Sequence, residues 1–271
     1  MSDDSDDLGL SFGVDGQVAT LTLSRPARRN AQTPRLWEAM ARIGESLPER
    51  VRVAVIRGEG ASFSAGIDLQ MLNREGTAGD TSISELVSLD DERLAGRIAQ
   101  FQRAFSCWRR SDLITIAAVQ GHAIGAGFQL ALACDLRVCA DDVRFAMRET
   151  SLGLVPDLGG THPLVAIVGY SRALEICVTG RYVEADEARQ IGLATIVVPR
   201  RELDTAVADL CGALLSPEHG AVTATKELLA GAGGRSYQDQ LLAERRAQAA
   251  RLRHLATSPG THSPVTGNKD G

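Results

Sequence analysis

No stretch of this 271-residue chain approaches the ~20 consecutive apolar residues that a membrane-spanning helix needs. The opening residues Met1 to Asp7 lack the positive start and apolar segment of a secretion signal, so a cytoplasmic location is expected. An excess of positive charge is also missing. The formal net charge is −5 with both signs dispersed, which excludes the basic field that draws a protein to nucleic acid or anionic lipid. Cysteine is sparse and unpaired in spacing: Cys107, Cys134, Cys139, Cys177 and Cys211 sit in apolar patterns without a C-x-x-C, and are read as reduced core residues. The five histidines show no metal-ligand spacing with one another or with the cysteines, so no metal is expected. There is no G-x-x-x-x-G-K-[ST] loop, and Gly125-Ala126-Gly127 has Leu130 where a dinucleotide fingerprint places its third glycine. Ser62-Phe63-Ser64-Ala65-Gly66 matches only the second half of a nucleophile elbow, which makes Ser64 a turn residue. Arg245, Arg246, Arg251 and Arg253 crowd one late helix and read as a solvated face.

What is present is enough apolar content, 44%, to bury a real core. Val18 to Leu23 alternates as a half-buried strand, and Thr33-Pro34 opens a helix carrying Leu36, Met40, Ile43 and Leu47 on one face. Strands are predicted at Val51 to Ile56, Ile114 to Val119, Leu136 to Ala140 and Arg144 to Met147, and a long helix from Leu94 to Trp108. Residues 73–91 are rich in Gly, Ser, Thr and Asp and read as a mobile loop. Strands joined through helices predict a mainly parallel, layered α/β core. Beyond Thr161 helical patterns dominate, with one short strand at Thr195 to Val198. The expected division is a disordered acidic tail (1–11), a core (12–200), a helical subdomain (201–257) and a disordered tail (258–271).

The most informative stretch is Gly121 to Leu130, where a β-branched run turns through glycines into a helix. A helix that begins this way presents N–H groups without partners to whatever lies beyond it. A second such turn follows Val51 to Ile56, through Gly58 to Leu69. Two main-chain N–H groups, one from each turn, can converge on one carbonyl oxygen and stabilise an enolate. Three polar residues flank these turns: Gln129, Glu149 and Asp157. A carboxylate beside an enolisable thioester can take a proton from carbon, and an apolar pocket raises its pKa to a useful value. Glu149 is the first choice for that base. The plainer alternatives are an exposed strand-end carboxylate at Glu149 and a helix cap at Asp157.

On these residues the chain resembles the crotonase, or enoyl-CoA hydratase/isomerase, superfamily over roughly Phe12 to Arg253. The resemblance rests on Leu23-Ser24-Arg25-Pro26 with Asn30-Ala31, on Phe63 to Leu69, and on Gly121 to Asp135. It continues through Phe145 to Glu149, Gly153 to Pro156 with Gly159-Gly160-Thr161, Thr179-Gly180-Arg181, and Ala185 to Ala194. It implies a spiral of ββα units with C-terminal helices that trimerise, an acyl-CoA substrate, no separate cofactor, and a homotrimer or homohexamer. It places the two oxyanion N–H groups on Ile67 and Ala126. Ala27, Arg29, Ala65, Gly66, Asp68, Leu69, Gln70, Gly125 and Gly127 then line the substrate. Family hydratases use glutamates at the positions of Gln129 and Glu149, and glutamine cannot accept a proton near neutrality. The dienoyl-CoA isomerase branch carries carboxylates at the positions of Glu149 and Asp157, with Asp where Gln129 stands. The lysine that often follows the first oxyanion loop is replaced by Gln70, and the covering C-terminal helix is expected to be absent. Isomerisation of a double bond, with Gln129 orienting substrate or water, is therefore the expected activity. Hydration with Asp157 in place of the missing glutamate, and a scaffold that binds acyl-CoA without turnover, are the alternatives.

Overall fold

The computed structural model describes residues 8–72 and 81–257. Its first compact unit ends at Ser216 and its second begins at Pro217.

A hairpin opens the first unit. β1 (Leu10–Asp15) pairs antiparallel with β2 (Val18–Leu23), and β3 (Val53–Gly58), β4 (Ile114–Val119), β6 (Leu136–Ala140) and β9 (Ile196–Val198) extend the sheet, each parallel to its neighbour, in the order β1-β2-β3-β4-β6-β9. A second sheet holds β5 (His122–Ile124), β7 (Arg144–Ala146) and β8 (Val183–Glu184). It is prolonged by single bridges from Ser64 to Ala123 and from Gln32 to Ile67. The chain thus alternates between the two sheets. β3 leads to the Ser64 to Ile67 segment, β4 to β5 and β6 to β7, and helices separate these pairs, which is the expected spiral of ββα units.

Burial on both faces explains why the central strands read as unbroken apolar runs. Ala54, Ile56, Ala117, Val119 and Cys139 point into the main core, between the sheet and the layer formed by the second sheet and its helices. Their neighbours Val53, Val55, Ile116, Ala118, Val138 and Ala140 pack on the other face against Leu203, Val207 and Cys211 of α8 (Leu203–Leu215). α8 therefore belongs with the first unit, whereas the sequence reading assigns residues from 201 onward to the helical subdomain.

α1 (Pro34–Glu45) starts where Thr33 accepts the Leu36 N–H, with Pro34 at its first position. Its Trp37 meets Phe101 and Phe105 of α3 (Asp91–Ser106) at ring-centroid distances of 5.2 and 6.0 Å. Between them Ser82 and Glu85 form a capping box that starts α2 (Ile83–Val87), so part of the predicted 73–91 loop is helical instead. Residues 73–80 of that loop lie outside the described residues. α4 (Ala126–Ala133) is buried along its whole length. α5 (Thr161–Val168), α6 (Tyr170–Thr179) and α7 (Ala185–Gln190) complete the unit.

Leu10 and Ser11, expected in the acidic tail, are strand residues instead, because Leu10 is fully buried opposite Leu23. Residues 1–7 and 258–271, the rest of the two expected tails, lie outside the described residues. All five cysteines are free, and Cys134, Cys139 and Cys211 are buried. In the second unit α9 (His219–Ala232), capped by Glu218, packs with α10 (Tyr237–Thr257), and Arg251 pairs with Glu218. Neither helix contains a buried residue. Among the described residues no helix is long and apolar enough to cross a membrane.

Candidate active site

The two glycine turns meet along β5. Ser64 N–H donates to the His122 carbonyl at 2.9 Å and Ser64 O accepts from Ile124 N–H at 3.0 Å, which lays the 64–67 segment alongside β5. On its other side Gln32 N–H donates to Gly66 O at 2.7 Å, and Asp68 N–H donates to Gln32 O at 2.8 Å. This pattern uses the main-chain groups on either side of Ile67 and turns the Ile67 N–H away from Gln32. Gly66 has φ +93°, and a Cβ there would lie 2.7 Å from Ile124 O and 3.6 Å from Ala126 N. The close approach of the two turns thus depends on glycine.

Gly125, at φ +51°, donates to Ala146 O at 2.8 Å and leads into α4, whose first residue is Ala126. As the first residue of the helix, Ala126 carries an N–H that lacks an intrahelical acceptor. Neither the Ile67 nor the Ala126 N–H has a protein acceptor among the described residues. Gly127 sits against Ser64, whose carbonyl would be 2.6 Å from a Cβ at that position.

A polar frame fixes the first turn. Asn30 Nδ2 donates to the carbonyls of Glu59 (2.9 Å) and Ser62 (2.8 Å), and its Oδ1 accepts the Arg25 N–H at 2.9 Å. Ser64 Oγ donates to Asn30 O at 2.8 Å and accepts from Gln32 Nε2 at 3.0 Å, while Trp37 Nε1 donates to Gln32 Oε1 at 2.7 Å. The Ser64 hydroxyl is wholly engaged in holding the turn. Asp68 is buried and pairs with Arg25 at 3.3 Å, so its carboxylate faces the protein and only its backbone borders the turn. Leu69 and Gln70 are exposed, as are Ala27 and Arg29, and Ala65 is half-buried.

Glu149 begins a 3-10 turn just after β7 and is buried. Its Oε1 accepts from Gln129 Nε2 at 2.7 Å, and its Oε2 is buried without a partner. The two oxygens lie 3.3 and 3.7 Å from where a Gly125 Cβ would stand, so the carboxyl rests against the backbone that leads into the Ala126 N–H. Burial pushes the Glu149 carboxyl above its ordinary value; the Gln129 hydrogen bond opposes this and the nearby Asp157 charge adds to it. Burial raises the half-buried Asp157 as well. Asp157 is not a helix cap, because α5 is entered through Gly160 without a side-chain bond. Its carbonyl accepts from Gln102 Nε2 of α3 at 2.6 Å.

Two N–H groups without protein acceptors, on turns that pack beside a raised carboxyl with one unpartnered oxygen, are the parts that chemistry needs to hold an oxyanion while a proton leaves carbon. A family model described as Enoyl-CoA hydratase/isomerase matches residues 13–263 of this chain. The chain belongs to this family, the crotonase superfamily of enzymes. It is 32% identical over 219 residues to the peroxisomal Delta(3,5)-Delta(2,4)-dienoyl-CoA isomerase of Arabidopsis thaliana, covering 80% of this chain and 78% of that one. Among solved structures, a candidate enoyl-CoA hydratase from Thermobifida fusca YX in complex with CoA superposes with a TM-score of 0.89 at 48% identity. That match covers 95% of this chain and 99% of the other. The Thermobifida fusca YX complex with acetoacetyl-CoA gives 0.89 at 49%, covering 92% and 97%.

Within this crotonase chain Ile67, Gly66, Gly125, Ala126, Gly127, Gln129 and Glu149, each singled out in the sequence, gather around one end of β5. Sequence reasoning missed Arg25, Asn30 and Gln32, which build the first turn. Arg25 and Asn30 enter the sequence reading only as parts of a motif. Their polar character at buried positions was the available signal, because a buried amide or guanidinium needs partners. For Gln129 the expected freedom to orient water is curtailed: its Oε1 already accepts from Leu158 N (2.9 Å) and Gly160 N (3.2 Å).

Proposed function

We propose that this enzyme shifts a carbon–carbon double bond in an unsaturated fatty acyl-CoA thioester. In this reading the Ile67 and Ala126 N–H groups hold the thioester oxygen. Glu149 takes a proton from carbon, and the electron pair of the broken C–H bond delocalises into a dienolate whose negative charge rests on the held oxygen. Asp157, in its protonated form, delivers a proton to a more distal carbon, and the double bond re-forms one position along. Proton transfer from Glu149 back to Asp157 through solvent resets the site, so the reaction needs no cofactor beyond the CoA of the substrate.

The observation that carries this reading is the residue facing Glu149: an amide, Gln129, with its oxygen saturated by main-chain donors. Activating water and returning its proton calls for a second proton acceptor beside the first, and an amide does not supply one. The Arabidopsis relative's name supports isomerase chemistry, and the CoA and acetoacetyl-CoA complexes of the Thermobifida protein support an acyl-CoA ligand. The name of that Thermobifida protein favours a second reading, hydration of a 2-enoyl-CoA with Asp157 as the second carboxylate.

NMR of the products from 2-enoyl-, 3-enoyl- and dienoyl-CoA in deuterated water separates these readings. The isomerase reading expects a moved double bond with deuterium incorporated, and loss of turnover in Glu149→Gln and Asp157→Asn. Hydrated product with full activity in Asp157→Asn overturns it. Tight binding of CoA esters by calorimetry without deuterium exchange at the α-carbon would instead identify a binding protein. We also propose self-association as a homotrimer or homohexamer. Its support is the apolar surface of Leu152, Val155, Tyr170, Leu174 and Val178, left exposed on neighbouring elements of the first unit.

A further inference from the structure

The Gln129 amide can face only one way. Main-chain N–H groups donate and never accept, so the end of the amide that meets Leu158 N and Gly160 N is its oxygen, with both lone pairs used. The NH₂ end is thereby fixed toward Glu149 and donates to Oε1 at 2.7 Å. A proton on Oε1 would weaken that acceptor and place an O–H beside an N–H donor. A proton on Oε2 leaves the bond to Gln129 intact. Oε2 is also the oxygen that is buried without any protein partner.

We infer that Gln129 is a positioning residue that confines proton transfer by Glu149 to a single carboxyl oxygen, Oε2. This rests on the acid–base role proposed above for Glu149. The anchor of the arrangement is the backbone of Leu158 and Gly160, which flanks Asp157 on one side, so one amide sets the geometry of both carboxyl-bearing segments. The other titratable groups facing Glu149 are Asp157, from the segment ahead of α5, and the Cys177 thiol of α6. The adjacent Arg148 guanidinium is directed to Gly180 O and the Tyr182 ring.

The test titrates Glu149 directly, by carbon NMR of full-length protein labelled at the glutamate side-chain carboxyl, with Glu149→Gln assigning the resonance. Gln129→Met removes the donor, and the Glu149 midpoint is expected to rise by about one pH unit. Gln129→Glu keeps an acceptor for Leu158 and Gly160 but turns the donor into a second carboxyl, and the pair is expected to hold a shared proton to a still higher pH. In both variants kcat falls by about tenfold or more with KM within about twofold, and the acidic limb of the kcat profile follows the NMR midpoint. An unmoved midpoint in Gln129→Met overturns the inference. If that variant fails to fold, an unmoved midpoint in Gln129→Glu overturns it equally. Wild-type protein that turns over no enoyl-CoA defeats the proposed isomerase activity, and the titration still judges the Gln129 contact on its own.

Discussion

Arg25 holds Asp68 by an ion pair at 3.3 Å, one residue beyond Ile67 and its unpartnered N–H. Arg25 also donates to Ala31 O at 3.0 Å, and Asp68 Oδ1 accepts the Gln70 N–H at 3.2 Å, so the pair ties the first turn to the segment beside it. The Asp68 side chain is only 6% exposed, and removing its partner leaves a buried charge uncompensated. Arg25→Met is therefore expected to destabilise the fold by about 2 kcal/mol and to lower kcat/KM by about tenfold through displacement of the oxyanion donor proposed at Ile67. Urea denaturation and steady-state kinetics check the two effects separately.

Gly66→Ala is expected to be far more damaging than Gly153→Ala. Both glycines have positive φ, +93° and +74°, but a methyl at 66 would press on Ile124 O at 2.7 Å whereas one at 153 meets nothing within 4 Å. The cost at 153 is that of the backbone alone, about 1 kcal/mol. At 66 a steric cost of similar or larger size adds to it, and the two proposed oxyanion donors are pushed apart. Thermal melts and activity of the two variants test the contrast.

Glu149 makes stability fall as pH rises. Its folded-state value is raised from the ordinary 4.5 by burial, so the folded chain binds this proton more tightly than the unfolded chain. The favourable contribution is complete below pH 4.5 and is lost as pH climbs through the higher folded value. Asp157, raised by burial, acts with the same sign. Glu149→Gln is expected to melt a few degrees above wild type at pH 8, the gap closing toward acid. Melting curves of both proteins across pH provide the check, and a gap that widens toward acid would contradict the assignment.

Much of the fold is legible in the sequence where burial is two-sided or a cap is explicit. Ile114 to Val119 and Leu136 to Ala140 are strands as read, because every position after the first is buried on one face or the other. Thr33-Pro34 opens α1 as its chemistry requires. β1 escapes notice because Leu10 alone of its six residues is buried, leaving no alternation to see. α9 escapes because Gly220 and Gly231 near its two ends weaken its helical pattern, and α2 because its capping box lies inside a stretch whose composition reads as loop. At the site the glycine turns are readable since they encode backbone geometry locally. The fixing of Gln129 is not, because its main-chain donors lie 29 and 31 residues further along the chain.

Association is expected to depend on the apolar surface of the first unit. Val155→Asp and Leu174→Arg each place a charge on a side chain that is 69% and 47% exposed, so the monomer should keep its stability within about 0.5 kcal/mol. Light scattering is expected to report a smaller particle for either variant, with unchanged far-UV circular dichroism. A wild-type mass equal to one chain would remove the proposed trimer.

All eight residues of α4 are enclosed by the core. One residue inserted or deleted within it would turn each following side chain by about 100° around the axis, swinging Gln129 off Glu149 or forcing bulky groups into filled space. Surface loops in general tolerate changes of length, but this short rod does not: its residue count is under as strict a constraint as any single side chain it carries.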